Sequence, residues 1–103
     1  MTVKIYGKLV RDRIPELIEK EDKRCSYYTA TPQEYREALL RKLREEVGEF
    51  VADPSCEELA DVYEVLESVI RAYKLSSVFA SQIAKRVRRG SFTDQVILEW
   101  VED

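Results

Sequence analysis

The stretch TPQEYREALLRKLREEVGEFVADPSCEELADVYEVLESVIRAY, residues 31–73, decides the fold. It opens on Thr31-Pro32-Gln33-Glu34. Threonine is a good N-cap, proline fits the first helical position, and a glutamate at the third completes a capping box. The pattern predicts a helix from there to about Ala52, broken by Asp53-Pro54 because the residue before proline is pushed out of helical geometry. Ser55-Cys56-Glu57-Glu58 is a second capping box, predicting a helix to about Tyr73.

Working outward, a further helix is expected from Ser76 or Ser77 to Gly90, a natural residue to follow a cationic last turn. Pro15 suits the start of a short helix through about Lys23. Thr2 to Tyr6, Cys25 to Thr29 and Phe92 to Val101 carry β-branched and aromatic residues and read as short strands. Long helices on short connections imply antiparallel packing. The fold class expected is mainly α: an antiparallel helical bundle with short terminal strands, one domain over residues 1–103. So small a core is expected to be completed by a homodimer or higher homo-oligomer.

Composition narrows the chemistry. The chain is 45% hydrophobic and 36% charged, with net charge −3, which suits a small globular protein. No run approaches the roughly 18 apolar residues of a membrane span, and residues 1–10 lack a secretory core, so a cytoplasmic protein is expected. There is no histidine. That excludes Ser/His and Cys/His nucleophile pairs and histidine-ligated metal sites. Cys25 and Cys56 form no paired motif and read as reduced thiols.

The charge is unevenly placed. Lys4, Lys8, Arg11 and Arg13 lie near the start, every charged residue from Glu45 to Glu67 is an acid, and residues 85–89 read KRVRR. At about 100° per residue, Tyr35, Leu39, Leu43, Val47 and Phe50 share one arc of the first long helix. Glu46 projects inside that arc, Glu49 at its edge, and Lys42 between the two. In the next helix Val62, Val65, Leu66, Val69 and Tyr73 make the apolar stripe. Glu58 projects into its centre, with Asp61 about 60° to one side. Glu64, Glu67 and Arg71 face away.

Each helix therefore carries one carboxylate on its apolar stripe and a second three residues on, at the flank. A carboxylate buried alone costs several kcal/mol, and several together repel. A divalent cation relieves both. All-oxygen ligation by Glu46, Glu49, Glu58 and Asp61 favours Mg²⁺, with Mn²⁺ as the other hard ion. Tyr27, Tyr28, Tyr35, Tyr63 and Tyr73 read mainly as core.

K-L-x-E-E-x-x-E (Lys42, Leu43, Glu45, Glu46, Glu49), followed by E-x-x-D-V (Glu58, Asp61, Val62), resembles the all-α nucleoside triphosphate pyrophosphohydrolase (MazG-like) superfamily. K-L-V-R-D-R-I-P-E-L-I (Lys8 to Ile18) and K-R-x-x-R-G-x-F (Lys85, Arg86, Arg89, Gly90, Phe92) resemble its small phosphoribosyl-ATP pyrophosphohydrolase-like branch. The resemblance implies a helical bundle in dimers or higher oligomers. It implies Mg²⁺-dependent cleavage of a nucleotide between its α and β phosphates, giving the monophosphate and pyrophosphate, as in house-cleaning of non-canonical nucleotides. It places metal ligation on Glu46, Glu49, Glu58 and Asp61. The short spacer between Glu49 and Glu58, and Val65 where relatives carry a polar contact, leave the nucleotide unspecified.

Without histidine, proton acceptance falls to a carboxylate or to the metal's own water. Glu45 and Glu46 are the candidate catalytic residues, orienting the attacking water. Lys8, Arg11, Lys42, Lys85, Arg86 and Arg89 are candidates to bind substrate phosphates. Two other classes fit less of the sequence. A nucleic-acid-binding or regulatory module is opposed by the acidic middle. A non-catalytic helical oligomerisation domain would be indifferent to Mg²⁺.

Overall fold

The computed structural model describes residues 2–103. Four α-helices follow in order: α1 (Ile14–Lys20), α2 (Pro32–Ala52), α3 (Cys56–Ala72) and α4 (Val78–Arg89). Both N-caps form as the sequence predicts, without the return bond from the glutamate side chain that would complete a capping box. Thr31 Oγ1 accepts from the Glu34 amide at 3.2 Å, and Ser55 Oγ accepts from the Glu58 amide at 3.3 Å. Each bond satisfies an amide that the first helical turn leaves free.

α2 and α3 are joined through Asp53-Pro54-Ser55 and pack against each other as a hairpin. The Tyr73 hydroxyl, just past α3, donates to the Arg36 carbonyl in the first turns of α2 at 3.0 Å. That bond ties the open end of the hairpin. The buried core is Leu39 from α2 with Val62 and Val65 from α3, and Glu46 is buried beside them.

α3 ends in a Schellman turn. The Leu75 amide donates to the Ile70 carbonyl at 2.9 Å, the Lys74 amide to the Arg71 carbonyl at 3.3 Å, and Lys74 has φ 56°. Glycine usually fills this left-handed position because a Cβ is strained there. Lys74→Gly is therefore expected to stabilise the protein by about 0.5–1 kcal/mol in urea unfolding, the relief of strain exceeding the added freedom of the unfolded chain.

Two expectations are corrected. No strand forms among the described residues: 2–6, 25–29 and 92–101 lie outside regular structure. A strand exists only against a partner edge, and none of these segments meets one. Nor does α4 join an antiparallel three-helix bundle. Every residue of α4 is exposed, including Phe79, Ile83 and Val87, as are Phe92, Ile97 and Trp100 beyond it. The radius of gyration is 18.8 Å, with extents of 63 × 30 × 26 Å. A compact chain of about 100 residues has a radius near 13 Å. Tyr27, Tyr28 and Tyr63, read as core, are exposed, while Tyr35 and Tyr73 are half-buried. Both cysteines are free.

Candidate metal centre

The α2–α3 hairpin carries the acids inward because their registers sit on its packed faces. Glu46 follows Leu39 by seven residues and lies on the same side of α2. Glu58 precedes Val62 and Val65 on α3, and Asp61 flanks them. One carboxylate oxygen from each of Glu46, Glu58 and Asp61 lies within 4.8 Å of the others. The Glu46 side chain is nine-tenths buried, 9% exposed. Glu46 Oε2 and Glu58 Oε2 are both buried without a hydrogen-bond partner. Buried oxygens of this kind are costly unless a donor or cation meets them. An oxygen-only donor set of three acids suits a hard divalent ion.

Cations surround the group without filling it. Lys42 Nζ lies 3.3 Å from Glu46 Oε1 and 3.6 Å from Glu45 Oε2. Lys8 Nζ donates to Glu45 Oε1 at 2.7 Å. Arg11 Nη2 donates to Asp61 Oδ1 at 2.6 Å, and Arg11 Nη1 lies 3.7 Å from Glu64 Oε1. Residues 8–11 thus lie as a strap across the acidic face of the hairpin. A cleft of 240 Å³ opens between strap and helices, lined by Tyr6, Lys8, Val10, Arg11, Ile14, Lys42, Glu46 and Asp61.

The proton affinities follow from these contacts. Burial raises the Glu46 pKa above the usual carboxylate value, helped by its neighbour Glu49 and opposed by Lys42. Glu45 is shifted the other way, chiefly by its hydrogen bond from Lys8. Lys8 and Arg11 are raised in turn by their bonds to Glu45 and Asp61.

Of the residues the sequence singles out, the structure brings Glu46, Glu58 and Asp61 together. Glu49 lies outside that group, exposed one turn on from Glu46. Lys8, Arg11, Lys42 and Glu45 stand at its rim. Lys85, Arg86 and Arg89 lie on the exposed α4 and enter no ion pair among the described residues. Glu64, which helical projection assigns to the solvated face, is a second partner of Arg11. Its spacing of three residues from Asp61 is the signal that it shares the flank. No family model, no curated protein and no solved structure matches this chain.

Proposed function

We propose that this chain is a divalent-metal-dependent nucleotide pyrophosphohydrolase, cleaving between the α and β phosphates to release pyrophosphate. The observation that carries the reading is the pair of buried, unpartnered oxygens, Glu46 Oε2 and Glu58 Oε2, beside Asp61. The motif resemblance adds the reaction type. Glu46, Glu58 and Asp61 would hold Mg²⁺ or Mn²⁺, with Glu49 outside the converging group. When bound, such an ion neutralises phosphate charge and acidifies water.

The chain's own groups do the remainder. Arg11, Lys8 and Lys42 line the cleft and bind phosphate oxygens, the guanidinium by its forked donors. Positioning of this kind is most of what phosphoryl transfer requires. Proton acceptance falls to Glu45 or Glu46. Glu46 has the raised proton affinity, and Glu45 stands outside the ligand group. The test is pyrophosphate release from a panel of NTPs, dNTPs, oxidised nucleotides and phosphoribosyl-ATP, with and without Mg²⁺ or Mn²⁺. Release from none of them in either metal would remove the proposal.

We also propose a homo-oligomer, the exposed α4 face covering the hairpin of a second copy. Among the described residues only Leu39, Val62 and Val65 are buried hydrophobics, too few for a free-standing domain. The basic last turn of α4, with Arg86, Arg88 and Arg89, complements the acids of α3 in charge. Sedimentation is expected to give at least a dimer, and Ile83→Asp on α4 to shift it towards monomer. A monomeric wild type at micromolar concentration would contradict this. The same exposed face favours a second reading, a non-catalytic oligomerisation domain, under which metal leaves the thermal midpoint unchanged.

A further inference from the structure

Arg11 occupies one member of the acidic group from outside the hairpin. Its Nη2 donates to Asp61 Oδ1 at 2.6 Å, while Glu46 Oε2 and Glu58 Oε2 beside it are buried and unpartnered. An ion entering among the three carboxylates competes with this guanidinium for the charge of Asp61. Arg11 cannot yield by losing a proton, because guanidinium stays charged in proteins. It can yield by rotating. Its side chain is 53% exposed, and no helix or strand fixes residues 2–13. The strap would not come loose with it, because Lys8 bonds Glu45, which lies outside the converging group.

We propose that Arg11 is an exchangeable counter-ion. It neutralises Asp61 until a divalent cation binds Glu46, Glu58 and Asp61, and then presents its freed donors to an anionic oxygen of a phosphate-bearing ligand beside the ion. This rests on the metal-binding reading above. Cation and phosphate then bind with positive coupling, since without the cation a phosphate must compete with Asp61 for Arg11.

The test measures Mn²⁺ affinity by calorimetry for wild type, Arg11→Ala and Arg11→Lys, with Lys20→Ala as a control for loss of one distant positive charge. Arg11→Ala is expected to bind Mn²⁺ about tenfold tighter, the usual scale of such coupling. Arg11→Lys should fall between it and wild type, and Lys20→Ala should match wild type at moderate salt. The guanidinium resonance of Arg11 should shift on adding Mg²⁺ to the wild type, which reads the exchange without any substitution. With Mg²⁺ present, inorganic phosphate should bind wild type more tightly than Arg11→Ala, read from the ³¹P line width.

If wild type binds Mn²⁺ while Arg11→Ala binds it equally or more weakly, the exchange is overturned and the metal site stands. An Arg11 resonance unmoved at saturating Mg²⁺ also overturns it. Equal phosphate binding by wild type and Arg11→Ala removes the phosphate contact. No Mn²⁺ binding by either protein overturns the metal reading and the exchange together.

Discussion

Glu46→Gln combined with Glu58→Gln is expected to lower metal-dependent pyrophosphate release by about 10²- to 10³-fold, with the fold intact. The two residues supply the buried, unpartnered oxygens of the acidic group. Their amides keep the shape and remove the negative charge that would hold the ion. Metal stabilisation of transition-state charge contributes several kcal/mol, and each 1.36 kcal/mol is tenfold in rate. The capping bond of α3 is untouched, because Ser55 Oγ accepts from the Glu58 backbone and not from its side chain. Circular dichroism should therefore match wild type. Undiminished release by the double variant would place the chemistry elsewhere on the molecule.

The second large effect is thermal. A ligand bound only by the folded state adds about 2.7 kcal/mol at a concentration 100 times its dissociation constant. For a domain of this size that is a rise of roughly 10–20 °C in the melting midpoint. Mg²⁺ or Mn²⁺ should produce it in wild type, and Glu46→Gln should abolish it. Without metal the sign reverses. The Glu46 pKa lies above its unfolded value, so the folded chain holds that proton more tightly. Wild-type stability should accordingly gain from Glu46 as pH falls from neutral through its raised pKa, down to the unfolded value. Glu45 contributes oppositely. Its pKa is lowered by Lys8, so its stabilisation holds above the unfolded value and is lost as pH falls through the folded one. The difference between wild type and Glu46→Gln isolates the first slope. A midpoint indifferent to both metals would instead favour the oligomerisation domain.

The helices were legible because their signals are local. Thr31 and Ser55 announce their caps, Pro54 its break, and the apolar periodicity of α2 and α3 places Glu46 and Glu58 inward. What the sequence did not show is tertiary. Val96, Leu98 and Trp100 suggest a strand, but strand formation depends on a neighbouring edge, and residues 92–101 lie outside regular structure. The cationic turn of α4 looks like a phosphate site in one dimension, yet every residue of α4 is exposed. Helical projection separates Glu46 and Glu49 by about 60°, which does not reveal which of them the opposite helix will meet. Arg11 and Asp61 stand fifty positions apart, and nothing in the spacing marks them as partners.

The connection through Asp53-Pro54-Ser55 also sets an order of events. Helical hairpins with short connections have low contact order and close early, before distant segments have docked. Glu46, Glu58 and Asp61 all lie within that hairpin, so mutual repulsion among them acts on the folding barrier as well as on the finished protein. During synthesis, Lys8 and Arg11 leave the ribosome before any of these acids, and α4 leaves after them. The nascent chain therefore carries its neutralising cations ahead of the charges they offset. The cations are thus already synthesised when the acidic group forms, while the apolar face of α4 has yet to be made.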